Sequence, residues 1–262
     1  MQYLFDDWNK ISHRLRSADQ VLFLSDFDGT LTPIVDRPEL AVLDADIKKI
    51  LKSLSKNHRY TVGIVSGRAL MDLKDKVGID GIIYAGNHGL EIEGFGTSFL
   101  EPIAEEIRPF FQILSQVLTI AFKGVKGVFV ENKGLSVSVH YRTVDGVEEE
   151  MVEDAFNKVT NPLYITGNIK ITRGKKVYEI RPPVDWDKGK AISWLIVKCK
   201  EKGRRGGAMP IYLGDDLTDE SAFKVVEEYC GISIFVGNGD VESAARYYLN
   251  STEEVESFLK ML

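Results

Sequence analysis

Short apolar runs recur along this chain, each closed by a turn-forming or polar residue: VLFLS (Val21 to Ser25), YTVGIVS (Tyr60 to Ser66), GIIYA (Gly81 to Ala85), PIYLG (Pro210 to Gly214) and ISIFVG (Ile232 to Gly237). Helix-period segments lie between most of them. Examples are DIKKILKSLSK, with Ile47, Ile50, Leu51 and Leu54 on one side, and KGKAISWLIVKCKEKG, which stops at Gly203. A strand that is apolar throughout has both faces covered, and strands that alternate with helices join in parallel. The pattern predicts an α/β core on a parallel sheet.

One interval departs from the alternation. From about Ile103 to Pro182 the order reads helix (IAEEIRPFFQILSQVLTIA), strand (VKGVFVEN), strand (GLSVSVHYRT), helix (VEEEMVEDAFNKV), strand (NIKITRG) and strand (KKVYEIRP). Asn132-Lys133-Gly134 and Arg173-Gly174-Lys175 are turns of hairpin length. The expectation is an inserted α+β domain over residues 103–182 with an antiparallel sheet, flanked by a core of residues 1–102 and 183–262.

Composition excludes some function classes. A chain of 262 residues, 44% hydrophobic and 27% charged, can bury a sizeable core. The net charge of −6 gives no reason to expect nucleic acid, and the basic run KGRRGG, Lys202 to Gly207, reads as a solvated loop. Cys199 and Cys230 show neither metal-type spacing nor a disulfide framework, which fits a reducing cytoplasm. The N-terminal MQYLFDDWNKISHRL reads as an amphipathic helix rather than a leader, and no run has membrane-spanning length, so a soluble protein without a membrane partner is expected.

The polar residues at the strand ends carry the functional signal. Asp26 follows the first run, Ser66 the second, Asn87 and His88 the third, and Asp215 with Asp216 follow PIYLG. Open parallel sheets bind ligands at the C-terminal ends of their strands. Each residue taken alone also suits the capping of the next helix. Read as a calcium loop from Asp26, position 6 falls on Leu31 and position 12 on Arg37, where a glycine and a glutamate are needed. No GxxxxGK[ST], complete GxGxxG or HExxH occurs, which removes the phosphate-loop, dinucleotide and zinc-hydrolase readings.

DFDGTLTP, SGR (Ser66 to Arg68), DKGKA around Lys188 and GDDLTDESAF from Gly214 resemble the four ordered motifs of the haloacid dehalogenase superfamily of phosphatases. GDDLTDE together with AGNHGLE, VENKG and YEIRP is most similar to the trehalose-6-phosphate phosphatases, and the resemblance runs from about Ser25 to Gly239. It implies a Rossmann-like core with the inserted α+β domain as a cap that sets substrate specificity. It also implies a Mg²⁺-dependent phosphoric monoester hydrolase. Asp26 would attack phosphorus and form an aspartyl-phosphate, and Asp28 would protonate the leaving sugar oxygen and then activate water. An Asp26 anion about 4 Å from a phosphate dianion meets roughly 8 kcal/mol of repulsion at an effective dielectric of about 20, so cations are needed.

The resemblance supplies two. Mg²⁺ would be held by Asp26, the backbone carbonyl of Asp28 and Asp215, with Asp216 or Asp219 orienting its waters. Lys188 would contact both the phosphate and Asp26. Ser66 would donate to a phosphate oxygen with Arg68 close by, and Asn87 and His88 would add contacts from the core. In the cap, Glu131 and Lys133 point the same way because they are two apart in a strand. With Glu179 they would bind the sugar hydroxyls, although an exposed cross-strand ion pair is the other reading. His140, Tyr141 and Arg142 also match the family, without an assigned role. The expected partner is a small sugar phosphate. Trehalose 6-phosphate leads, with sucrose phosphate, mannosyl-3-phosphoglycerate, glucosylglycerol phosphate or a silent sugar-phosphate sensor as alternatives. Association with a trehalose-6-phosphate synthase is left open.

Overall fold

The computed structural model describes residues 1–174, 176–201 and 207–262. Lys175, the run Lys202 to Gly206 and the expected helix stop at Gly203 lie outside the described residues. The chain forms two compact units: Met1–Phe99 with Trp186–Leu262, and Leu100–Asp185.

The larger unit begins with β1 (Gln2–Tyr3), α1 (Trp8–Ser17), β2 (Val21–Ser25), α2 (Ala45–Lys56), β3 (Tyr60–Val65), α3 (Leu70–Val77), β4 (Ile83–Gly86), β5 (Glu91–Gly94) and β6 (Thr97–Leu100). The smaller unit follows with α4 (Pro102–Glu106), α5 (Arg108–Ala121), β7 (Phe129–Asn132), β8 (Val137–His140), α6 (Glu149–Ile165), β9 (Lys170–Gly174) and β10 (Val177–Arg181). The chain then returns to the larger unit with α7 (Lys188–Glu201), β11 (Met209–Gly214), α8 (Glu220–Glu228), β12 (Ile232–Val236), β13 (Tyr247–Leu249) and α9 (Thr252–Leu259).

Among the described residues a nine-stranded sheet runs β1-β13-β12-β11-β2-β3-β4-β5-β6. Its pairs from β1 to β4 are parallel, as the apolar runs require. Both faces are covered. Val21 and Phe23 join a core with residues of α1, α2, α3 and α9, while Leu22 and Leu24 join a second core with residues of α7 and α8. The side-chain period of two assigns alternate residues of β2 to opposite faces. Continued one step past the strand, the same parity turns Phe27 into the first core and Asp26 toward the face of α7.

Two features differ from the sequence expectation. The sheet is mixed: β5 pairs antiparallel with β4, and β5 and β6 are joined through Phe95 and Gly96, both at positive φ. Those are the dihedrals of a tight two-residue hairpin turn. The helix expected from Ile103 breaks into α4 and α5 because Pro109 lacks an N–H and disfavours helical geometry in the residues before it. Among the described residues, no helix is long and apolar enough to cross a membrane.

The smaller unit is an antiparallel sheet ordered β7-β8-β10-β9. Val137, Val139, Tyr178 and Ile180 form its apolar face and share a core with Phe111, Leu114 and Leu118 of α5 and Val152 and Phe156 of α6. Phe156 lies 4.3 Å from Tyr178, ring centre to ring centre, in a stacked arrangement. Truncating a buried aromatic of this kind costs about 3–5 kcal/mol. Phe156→Ala is accordingly expected to lower the midpoint of chemical denaturation followed by circular dichroism. An unchanged midpoint would mean that this core adds little to the fold.

Candidate active site

Asp26 stands at the C-terminal end of β2, its backbone N–H donating to the Leu213 carbonyl of β11 at 2.8 Å. Its Oδ1 accepts the N–H of Phe27 at 2.7 Å and its Oδ2 lies 2.9 Å from Lys188 Nζ. Lys188, the first residue of α7, is only 2% exposed and is also 2.7 Å from Asp219 Oδ1. The tyrosine of PIYLG has the parity of the α7 face, and Tyr212 donates its hydroxyl to the same Asp219 oxygen. The other Asp219 oxygen accepts the N–H groups of Asp215 and Asp216, at 3.0 and 3.1 Å.

Close approach fixes these turns. Gly29 has φ +84°, and a Cβ there would lie 2.2 Å from the Asp215 carboxylate. Only glycine allows DFDGT and GDD to meet so closely. Burial of the Lys188 amine works to lower its pKa, but Asp219 and Asp26 outweigh it and hold the group above its ordinary value, so it stays protonated. For Asp26 the balance is opposite. Burial pushes its carboxyl well up, Asp219, Asp215 and Asp216 add to the push, and Lys188 offsets only part of it. Asp216 is held below the carboxylate range despite burial, through Lys188, the bonds from Thr218 and the charge of His88.

The second acid of DFDGT lies in a different environment. Arg68 grips Asp28 with two bonds of 2.7 Å, from Nε and from one terminal nitrogen. The other terminal nitrogen donates to Asp72, also at 2.7 Å, and the Pro38 carbonyl accepts a further bond at 2.9 Å. Burial would lower the Arg68 pKa, but the bonds with Asp28 and Asp72 raise it instead. Ser66 is buried after β3, and its Oγ accepts the N–H of Arg68 at 3.2 Å.

Asn87 and His88 form a turn after β4, both at positive φ, with their N–H groups bonded to the carbonyls of Arg68 and Ser66. Asn87 donates its amide to Glu91, which also takes the N–H of Leu70, so this residue fixes the turn at the start of α3. A Cβ on Gly67 would come within 2.8 Å of the His88 ring, so the glycine of SGR lets these two turns approach closely.

The larger unit thus gathers Asp26, Asp215, Asp219 and Lys188. One carboxylate oxygen from each of the three acids lies within 4.8 Å of the others. The donor set is all oxygen, which suits a hard divalent cation, and the excess of acid around Asp26 suits a positive charge. Asp219 already accepts four hydrogen bonds, so Asp26 and Asp215 are the carboxylates that could ligate.

In the smaller unit, Glu131, Ser138, Glu179 and Thr172 are register partners in one row across β7, β8, β10 and β9. Lys133 Nζ is 3.2 Å from Glu179 Oε1, and Glu131 Oε2 is 2.8 Å from His140 Nε2. Sequence reasoning overlooked Ser138, whose buried hydroxyl has no hydrogen-bond partner among the described residues. The signal was the alternation in SVSVH, which puts Ser136, Ser138 and His140 on the polar face. Tyr141 stacks on Tyr178, centroids 4.8 Å apart, and is a packing residue.

The fold is that of haloacid dehalogenase-like hydrolases. One from Bacteroides thetaiotaomicron superposes with a TM-score of 0.63 at 16% identity, covering 92% of this chain and 98% of that one. The C-terminal domain of Candida albicans trehalose-6-phosphate phosphatase superposes with a TM-score of 0.84 at 23% identity, covering 97% and 96%. Residues 24–253 match the trehalose-phosphatase family model. A trehalose 6-phosphate phosphatase of Zea mays is 34% identical over 93% of this chain and 70% of its own. The chain belongs to the trehalose-phosphatase family and is a phosphatase.

The raised pKa of Asp26 has a consequence for stability. An acid whose pKa rises on folding stabilises the fold while protonated, and that contribution is lost as pH rises from the ordinary carboxylate range through the raised value. Near neutral pH, Asp26→Asn should therefore raise the melting temperature of cation-free protein by a few degrees. A divalent cation at about 100 times its Kd should stabilise the parent by about 2.7 kcal/mol and the variant far less. A variant that melts lower than the parent would mean that Lys188 outweighs the burial and the neighbouring acids.

Proposed function

We propose that this chain hydrolyses trehalose 6-phosphate to trehalose and phosphate, with Asp26 as nucleophile and Mg²⁺ as cofactor. The observation that carries this reading is the buried, protonated Lys188 held 2.9 Å from Asp26 at the C-terminal edge of the sheet, in a member of this family. An Asp26 oxygen attacks phosphorus while the bond to the sugar oxygen breaks. Asp28 gives its proton to that oxygen. Asp28 then takes a proton from water as the water attacks the aspartyl-phosphate, which frees phosphate and restores Asp26. Lys188 stabilises the Asp26 anion and the charge that gathers on the phosphoryl oxygens. Ser66 adds a hydrogen bond to that group.

Arg68 holds Asp28 by two bonds, so Asp28 turns out of that fork to reach the sugar oxygen. Asp26, Asp215 and the Asp28 carbonyl would hold Mg²⁺, which would offset charge on the phosphoryl group when bound, and Asp216 and Asp219 order the residues around that site. Glu131, Lys133 and Glu179 bind the sugar hydroxyls, and Ser138 adds a hydroxyl to the same row. His88 acts beside Asp216. Two cysteines with neither metal-type nor disulfide-framework spacing suit a reducing compartment, and we assign the protein to the cytoplasm.

Phosphate release from a panel of sugar phosphates tests this reading. Trehalose 6-phosphate should be the best substrate, Asp26→Asn should abolish turnover, and a chelator should do the same until Mg²⁺ is restored. Full activity of Asp26→Asn would end the mechanism. A preference for sucrose phosphate or mannosyl-3-phosphoglycerate would change the substrate and leave the chemistry standing.

The sugar-binding residues make a separate prediction. Losing one charge-assisted hydrogen bond costs about 1.5–3 kcal/mol, or roughly one to two powers of ten in kcat/KM at about 1.4 kcal/mol per tenfold. Glu131→Ala and Glu179→Ala should show that loss with trehalose 6-phosphate and little loss with nitrophenyl phosphate, which has no sugar. Equal losses on both would point to misfolding, and none on either would leave these residues as ion pairs.

A further inference from the structure

Glu131 is gripped by a histidine that the proposed function does not use. His140 ends β8 on the polar face of the small sheet, directly opposite Phe129 of β7. Its ring lies on the Phe129 ring, centroids 5.9 Å apart and planes 28° apart. The stack fixes the plane of the imidazole. In that plane Nε2 reaches diagonally to Glu131 Oε2 at 2.8 Å, a pairing that neighbouring strands allow between residues two positions out of register. A carboxylate only accepts, so Nε2 carries the proton.

We propose that His140 is a positioning residue: it fixes the direction of the Glu131 carboxylate so that a sugar hydroxyl meets an acceptor already in place. An unheld glutamate side chain samples many rotamers and loses that freedom when a ligand binds. A carboxylate has about four acceptor sites, so one bond from His140 sets its direction without using its capacity. Phe129 locks the imidazole, the imidazole locks the carboxylate, and the carboxylate faces the ligand. The inference rests on the reading that Glu131 binds the sugar.

The test is a double-mutant cycle on the full chain, with initial rates on trehalose 6-phosphate for the parent, Glu131→Ala, His140→Ala, His140→Gln and the Glu131→Ala/His140→Ala pair. Because the sugar does not react, loss of positioning should appear chiefly in KM. His140→Ala should raise KM about tenfold with kcat within about twofold, a loss of the order of one directed hydrogen bond. The amide N–H of glutamine stands in for Nε2–H, so His140→Gln should recover most of the loss. In the Glu131→Ala background, His140→Ala should add nothing. Additive losses, no effect of His140→Ala alone, or equal losses in His140→Ala and His140→Gln would each overturn the proposal. If Glu131→Ala itself leaves KM unchanged, the sugar-binding assignment fails first. That differs from an intact Glu131 effect beside an inert His140, which sinks only the positioning role.

Discussion

The larger unit is organised around one buried ammonium group. Lys188 sits between Asp26 and Asp219, 2.9 and 2.7 Å away, on residues contributed by three separate elements. A charge this buried is tolerable only with acidic partners beside it. The requirement therefore fixes the end of β2, the start of α7 and the turn after β11 relative to one another. Asp219 extends the constraint by accepting the N–H groups of Asp215 and Asp216, so the acid that holds the lysine also shapes the loop that carries the other carboxylates. Gly29 and Gly214 follow from this crowding, since a Cβ at Gly214 would lie 2.3 Å from the Asp219 carboxyl carbon.

The two acids of DFDGT are two residues apart, yet their partners have different properties. Asp26 faces a single point charge, a lysine that is itself shared with a second acid. Asp28 faces a planar fork whose two parallel bonds suit a carboxylate, and that fork is shared with Asp72. A lysine leaves the Asp26 oxygens room to turn, whereas a bidentate guanidinium fixes both oxygens of its partner. Two residues apart in sequence, the two carboxylates therefore meet cations of different shape and different freedom.

Much of this could be read from residues. Strand-end positions of Asp26, Ser66 and Asp215 follow from the apolar runs, and the parity of β2 leads from Leu24 to Asp26 on the α7 side. The Arg68 fork could not be read so, because Asp28 and Arg68 are brought together by the pairing of β2 with β3 and by a turn geometry with no local sequence mark. The strand-end place of Asn87 and His88 follows from GIIYA, whereas their positive φ values and the Asn87 bond to Glu91 depend on a turn that the sequence pattern does not mark. The β5–β6 hairpin went unrecognised because EIEGFGTSF offers one buried isoleucine and a glycine-rich turn rather than an apolar run. Register hid Ser138: the row Glu131–Ser138–Glu179 exists only after three strands are paired.

On the proposed reading the small sheet meets a neutral sugar with charged residues, and the reason lies in the chemistry of a hydroxyl. A sugar hydroxyl both donates and accepts, so it can accept from Lys133 while donating to Glu179 and replace their direct contact of 3.2 Å with two charge-assisted bonds. The ion pair holds both side chains in place before the ligand arrives, and neither charge is left without a partner at any stage. A face of serines and asparagines would offer weaker bonds and rotamers less restrained by their neighbours. Burial keeps the pair effective, because at 10% exposure for each side chain solvent screening is reduced. On that reading selectivity would lie in spacing: only a molecule whose hydroxyls match the strand separation and the two-residue step along β7 would engage Glu131, Lys133 and Glu179 together.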